Sequence, residues 1–382
     1  NDFVAHPNQD EFWLRRRFAS HLEHSTVPTL NVAGSWDQED YYGPLKIYQL
    51  LERTDTARTN HLVIGPWSHD GWSGPGRKLG DIDFGSDTGV HYREQIQARW
   101  LAHWLHDEPS PTPPEARVFV TGKNEWQSFE RWPPTDHITP TRLYLHPARE
   151  LRFEPPRESG AQAFDEYVSD PSHPVPYVRR PIRPMLMPGS DWSIWQALDQ
   201  RFVDHRPDVL SWETDVLEDD ITILGDVSAE LFASSTGSDS DWVVKLIDVF
   251  ADGAPASPEP ARGGHDGSSA EGSADLRGYQ LMIAGDVVRA RFRSSFAKPE
   301  PIVPGAVVRY EVPLHSRAHV FAKGHRIMVQ VQSTWFPLID RNPQRFVPNI
   351  FSASASDYVK ATQRIVRARA APSAIVLPML VR

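Results

Sequence analysis

Two short apolar runs early in the chain, Val27-Pro28-Thr29-Leu30-Asn31-Val32-Ala33 and His61-Leu62-Val63-Ile64, read as buried strands. Between them Tyr41, Leu45, Tyr48 and Leu51 recur at three- and four-residue spacing, the period of a helix with one apolar face. Pro44 is tolerated only near a helix start, so this helix is predicted to begin around Gly43, and residues 37–40 fall in a loop. A second helix is predicted over residues 92–106, with Ile96, Trp100, Leu101, Trp104 and Leu105 on one face. The order strand, helix, strand, helix predicts a parallel sheet, and such sheets bind ligands beyond the carboxyl ends of their strands.

The pattern changes after the Pro-rich stretch 108–114. From Val118-Phe119-Val120-Thr121-Gly122 onward, short runs are separated by Gly, Pro, Asn and Asp. Ile327, Val329 and Val331 alternate with Arg326, Met328, Gln330 and Gln332, and Val227, Ala229, Leu231 and Ala233 repeat the scheme. No long helical period follows residue 125, so a β-sandwich is predicted. The expected fold class is α/β plus all-β, with residues 1–122 in the first unit and 123–382 in the second. Trp335-Phe336-Pro337-Leu338-Ile339-Asp340-Arg341-Asn342-Pro343 is expected to pack one domain on the other, Asp340-Arg341 forming a local pair or turn cap; a pocket rim is the alternative.

Composition supports more than one core. The chain has 382 residues, 40% of them hydrophobic, with 13 Trp, 17 Phe and 10 Tyr, which is ample for burial. Its 34 Pro exceed the usual share of about 5% and suit loops and strand edges. A net charge of −10 with no basic run argues against a nucleic-acid partner. No stretch approaches the roughly 20 apolar residues of a membrane span. With no cysteine there are no disulfides, no thiol catalysis and no cysteine metal site. The 16 histidines are scattered, and the pairs His21/His24 and His103/His106 lack the Glu of a His-Glu-x-x-His site, so no metal is expected. Asp239 and Asp241 are too few for the six to eight oxygens calcium generally takes.

Each predicted strand of the first unit ends in residues with chemistry: Gly34-Ser35-Trp36-Asp37-Gln38-Glu39-Asp40 after the first, Gly65-Pro66-Trp67-Ser68-His69 after the second. A hydroxyl nucleophile needs an imidazole to take its proton, and the imidazole needs a carboxylate to fix its tautomer. In hydrolases of this sheet type the chain order is nucleophile, acid, histidine, and Asp37 followed by His69 obeys the last two steps. From the residues alone, Asp37, Glu39 and Asp40 read better as acidic residues preceding a helix, where its dipole favours them. Only Ser20, Ser25 and Ser35 precede Asp37, none in a Gly-x-Ser-x-Gly elbow. Gly267-Ser268-Ser269-Ala270-Glu271-Gly272 is a look-alike of the longer form Gly-x-Ser-x-x-Gly, but it follows the histidine and lies within a Pro, Gly, Ser and Ala-rich stretch that reads as a surface loop.

The stretches VPTLNVAGSWDQEDYYG and HLVIGPWSHDGW resemble the acid and histidine motifs of the α-amino-acid ester hydrolases, serine enzymes grouped with cocaine esterases, glutaryl-cephalosporin acylases and X-Pro dipeptidyl peptidases. STGSDSDWVVKLIDVF, LRGYQLMIAGDVVRARFR and GHRIMVQVQSTWFPLIDRNPQRFVPNIF resemble the β-domain of the same group, so the likeness covers nearly the whole chain. It implies the C-terminal part of an α/β-hydrolase sheet followed by a jelly roll. It implies Asp37 as triad acid, His69 as triad base, and Glu39 with Asp40 as two members of a carboxylate cluster holding a substrate's α-ammonium group. Carboxylates suit that task, since they offset the hydration lost by an amine entering a partly dry pocket. The cocaine-esterase-like branch lacks the paired carboxylates, so Glu39-Asp40 favours an α-amino acyl substrate.

The resemblance further implies that the nucleophile elbow and oxyanion residues precede Asn1, and that this chain is a C-terminal portion with little activity alone. The expected partner is a small molecule or short peptide with a free α-amine. No cofactor, nucleic acid or membrane is expected, a homo-oligomer is compatible, and the resemblance suggests a periplasmic or secreted location. X-Pro dipeptidyl peptidase activity is the alternative within enzymes, and a non-catalytic jelly-roll binding module the alternative outside them.

Overall fold

The computed structural model describes residues 2–22, 25–106, 113–160, 162–185, 187–253 and 275–381. His24, residues 108–112 of the Pro-rich stretch and the elbow look-alike at 267–272 lie outside the described residues.

Both early apolar runs are strands. β1 (Thr29–Gly34), β2 (Asn60–Gly65) and β3 (Ala116–Val120) lie parallel in that order, and β4 (Glu125–Phe129) returns antiparallel to β3. Gly34 is opposite Gly65, so β1 and β2 end level and the residues that follow them emerge side by side. β3 and β4 both belong to this sheet, which therefore runs to Phe129, with Gly122 in the turn between them.

α1 (Tyr42–Leu51) begins within one residue of the predicted start. Leu45 and Tyr48, with Tyr41 just ahead of the helix, pack on Ala33, Leu62, Ile64 and Val118. Thr88–His91, Tyr92–Gln97 and Ala98–His106 run on as one helix, α2, with a π-helical middle. Its predicted single apolar face is divided. Trp100 and Trp104 meet His61 at ring distances of 6.2 and 6.3 Å, whereas Leu101 and Leu105 are exposed. The sheet takes one i, i+4 row, and the next row lies about 100° round the helix.

Lys78–Leu79 and Ile82–Asp83 make a separate two-stranded hairpin, and the strands beyond Phe129 form the predicted sandwich. One sheet has the order β7 (Leu210–Glu213), β12 (Arg326–Gln332), β9 (Asp241–Val249), β10 (Gln280–Arg289). The other is built on β8 (Ile221–Ser235), which pairs antiparallel with β11 (Val308–Phe321), β13 (Ala361–Ala368) and β14 (Ala374–Leu380); β5 (Ile138–Leu145) adds to β14 and β6 (Phe164–Ser169) to β13. Val227, Ala229, Leu231 and Ala233 meet Ile327, Val329 and Val331 in one core between the sheets, as their alternation predicts.

The opposite face of β12 is not left to solvent. Met328, Gln330 and Gln332 are also buried, because β12 is flanked on both sides and overlain by Tyr177, Val178, Trp195 and Trp335. Lys245, opposite Gln330 on β9, is buried there too and donates to Gln200 Oε1 at 2.8 Å; burial pushes its ammonium down to about 7. Trp335 thus packs within the sandwich, edge-on to Trp195 at 5.2 Å, instead of between domains. Arg341 does not pair with Asp340. Its guanidinium lies over the Phe336 and Tyr358 rings and donates to the Pro171 carbonyl at 3.0 Å. Asp239 and Asp241 are neutralised by Arg291 and Arg289 at 2.6 and 3.0 Å, which removes the charge a calcium ion would answer.

The two layers interlock. The turn after β3 is bonded to β11 on both sides, Thr121 N–H to the Ala318 carbonyl at 3.1 Å and Val320 N–H to the Thr121 carbonyl at 2.8 Å. Gly122 permits this approach: its φ is +81°, and a Cβ there would stand 2.1 Å from the Val320 oxygen. Behind the turn runs a buried polar chain, Thr121 Oγ1 to His319 Nδ1 (2.8 Å), His319 Nε2 to Asp248 (3.2 Å), and Asp248 to His325 Nδ1 (2.8 Å). Phe119, Trp36 and Phe84 of the first layer join the sandwich core directly.

Candidate active site

The segments that follow β1 and β2 are joined by main-chain bonds: Ser35 N–H to the Gly65 carbonyl at 2.8 Å and Trp36 N–H to the Trp67 carbonyl at 2.9 Å. Gly34 makes this possible, since a Cβ at that position would lie 2.4 Å from the Trp67 oxygen. Asp37 N–H then bonds back to the Gly34 carbonyl at 3.0 Å and tightens the turn. Asp37 and His69, 32 residues apart in sequence, are thereby brought into contact at the carboxyl ends of neighbouring parallel strands.

His69 Nδ1 lies 3.2 Å from both Asp37 oxygens. An ionised carboxylate only accepts, so the ring proton belongs on Nδ1 and the lone pair on Nε2. Asp37 Oδ1 also accepts the backbone N–H groups of Glu39 and Asp40 at 2.8 and 2.9 Å, which holds the carboxylate in place. The Asp37 side chain is 3% exposed and that of His69 is 41% exposed, so the acid is shielded while the imidazole can be reached from outside. Partial burial works against the charged imidazole, but Asp37 overcomes it by charge and by its hydrogen bond, with help from Glu39 and Asp40, and His69 is raised above the usual 6.5. Among the described residues no serine hydroxyl bonds to His69.

Asp40 sits beside the pair, its Oδ2 3.5 Å from His69 Nδ1. Glu39 points elsewhere and accepts the indole N–H of Trp192 at 2.9 Å. Asp37, Glu39 and Asp40 thus lie in the loop after β1, and His69 in the neighbouring loop after β2. What sequence reasoning missed is the contribution of the sandwich. Trp192 reaches Glu39, and Trp36, stacked on Phe84, donates Nε1–H to the Met282 carbonyl of β10 at 2.9 Å. Tyr41, at the start of α1, hydrogen-bonds the Ser316 carbonyl and lies 4.2 Å from the Arg317 guanidinium. No local pattern signals such contacts across more than 150 residues.

The family model described as the X-Pro dipeptidyl-peptidase C-terminal non-catalytic domain matches residues 111–376, well over half the chain. The chain belongs to that family. Ahead of this X-Pro dipeptidyl-peptidase C-terminal domain, residues 1–71 match the model for X-Pro dipeptidyl-peptidase of the S15 family, and Asp37 and His69 both fall within that match. A cocaine esterase from Rhodococcus sp. (strain MB1 Bresler) is 30% identical over 391 residues, covering 99% of this chain and 61% of the relative. An aminopeptidase from the marine sediment archaeon Thaumarchaeota archaeon superimposes with a TM-score of 0.91 at 42% identity, covering 100% of this chain and 60% of that one. An α-amino acid ester hydrolase gives a TM-score of 0.91 at 38% identity, covering 99% and 60%. The chain thus lies in the esterase and X-Pro-peptidase-related group that its motifs resemble, and it spans about three-fifths of the length of these relatives.

Proposed function

We propose that this chain supplies the acid and base of a serine hydrolase acting on esters or amides of α-amino acids, β-lactam side chains among them. In this reading the nucleophile belongs to the part of the relatives' length that the chain does not cover. The observation that carries the reading is the shielded Asp37 carboxylate against Nδ1 of an accessible His69.

In this mechanism the serine hydroxyl gives its proton to His69 Nε2 as its oxygen attacks the acyl carbon. Asp37 stabilises the imidazolium, which then protonates the leaving alcohol or amine. Water, activated by the same imidazole, releases the acid. Glu39 and Asp40 hold the substrate's ammonium group through charge-assisted hydrogen bonds. The relatives named as an aminopeptidase and an α-amino acid ester hydrolase support an amine-bearing substrate.

The substrate claim has a direct test in the enzyme completed by its nucleophile-bearing segment. Glu39→Gln and Asp40→Asn should each raise KM for an amino-acid ester about 10- to 100-fold, the worth of a hydrogen bond to a charged group, and leave the des-amino ester nearly unchanged. Equal losses on both esters would sink the ammonium site. The family matches favour a second reading, X-Pro dipeptidyl peptidase, which also requires a free amine. Cleavage of Xaa-Pro amides with simple amino-acid esters untouched would establish it instead.

Because His69 must be neutral to accept a proton, kcat/KM should fall on acidification with a midpoint above 6.5. Titrating kcat/KM from pH 5 to 9 checks this, and a midpoint below 6.5 would contradict the Asp37 contact. The same shift acts on stability in the opposite sense. A raised imidazole stabilises the fold below its unfolded value, and that small contribution is lost as pH rises through the folded one.

A further inference from the structure

We propose that Trp192, a residue of the sandwich domain, is a positioning residue for the amine pocket. Its indole N–H sets the Glu39 carboxylate so that one oxygen is fixed and the other is free for an α-ammonium group. This rests on the reading of Glu39 as an ammonium ligand.

Glu39 is anchored at two points. Its backbone N–H is bonded to Asp37 Oδ1 at 2.8 Å, and its Oε1 accepts from Trp192 Nε1 at 2.9 Å. An indole N–H is a donor only, so it orients a carboxylate without neutralising its charge. Oε2 makes no other hydrogen bond among the described residues. A flexible, exposed Glu would have to be ordered by each incoming substrate, whereas one held in place beforehand binds an ammonium more tightly.

Trp192 is itself held from the sandwich side. Its ring meets Tyr177 edge-on at 6.3 Å, Tyr177 meets Trp195 at 5.5 Å, and Trp195 meets Trp335 at 5.2 Å. Tyr177, Trp195 and Trp335 are buried and pack on Met328 and Ile247, so this ladder carries the rigidity of the β-sheet out to the site. The loop that bears Trp192 is folded on itself, Ser190 N–H bonding the Met187 carbonyl and Ile194 N–H the Asp191 carbonyl at 3.0 and 3.1 Å. The bond is not needed to hold the two layers together. Trp36 to Met282, Tyr41 to Ser316 and the Thr121 turn already do so from buried positions, whereas Glu39 is exposed.

The test uses the completed enzyme with alanine methyl ester and methyl propionate, which differ by the amine. Trp192→Phe keeps a ring against Tyr177 and removes the N–H. It should raise KM for alanine methyl ester about five- to tenfold, leave its kcat unchanged, and leave methyl propionate unaffected. Trp192→Ala should show at least the same selective rise. The inference is overturned if Trp192→Phe leaves both substrates unchanged while Glu39→Gln impairs only the amine-bearing one. It is overturned equally if Trp192→Phe lowers kcat on both esters alike, as a structural role would. Glu39→Gln acting equally on both esters overturns the ammonium site itself, and this inference with it.

Discussion

Asp37→Asn should lower kcat on an amino-acid ester by about a thousand- to ten-thousandfold, the range expected when the orienting carboxylate of a triad is replaced by its amide. The substitution is isosteric, and the Asn Oδ1 can still accept the Glu39 and Asp40 N–H groups, so the turn survives. The position facing His69 then carries an NH2 donor. Nδ1 becomes an acceptor, the ring proton moves to Nε2, and the imidazole can no longer take a proton from a hydroxyl. Asp37→Ala is a poorer probe, because it also leaves those two backbone donors without their partner. Steady-state kinetics on the completed enzyme, with circular dichroism to confirm an unchanged fold, give the answer. A loss below tenfold would remove Asp37 from the mechanism.

Arg291→Met should cost about 3–5 kcal/mol of stability, the usual result of stripping one partner from a buried ion pair. Arg291 and Asp239 are 2% and 0% exposed and 2.6 Å apart. Arg291 also donates to the Val347 carbonyl at 2.9 Å and lies 4.7 Å from the Phe346 ring. Burial pushes the Asp239 carboxyl upward, against the pull of Arg291. Without Arg291 that rise grows, so the folded state binds a proton the unfolded state releases, and the variant should be less destabilised at pH 5 than at pH 8. Adding Asp239→Leu removes the stranded charge and should recover most of the loss. Urea midpoints at the two pH values measure all of this. A double variant no more stable than Arg291→Met alone would refute the account.

The placement of the candidate site residues was legible in the sequence, because each segment that carries them is local. Apolar runs ending at Gly34 and Gly65 marked β1 and β2, and the residues just beyond them carried Asp37, the Glu39-Asp40 pair and His69. Parallel pairing with level ends, with the close approach that Gly34 permits, brings Asp37 and His69 together. The sandwich was legible for the same reason, since alternation in β8 and β12 marks one buried face. Alternation could not reveal that Met328, Gln330 and Gln332 are buried as well. Burial of that second face depends on Tyr177, Trp195 and Trp335, residues remote from much of what they cover.

The sequence alone therefore determined the periods, the turn residues and the chemical types at the strand ends, since these depend on neighbours a few residues apart. The tertiary structure decided which distant groups meet them. Trp192 touches Glu39 across 153 positions, Trp36 reaches Met282 across 246, and Trp335 turns inward to Trp195. Those contacts follow from the packing of whole sheets. Burial of aromatic surface and pairing of indole N–H groups are non-local, and no period along the chain encodes them.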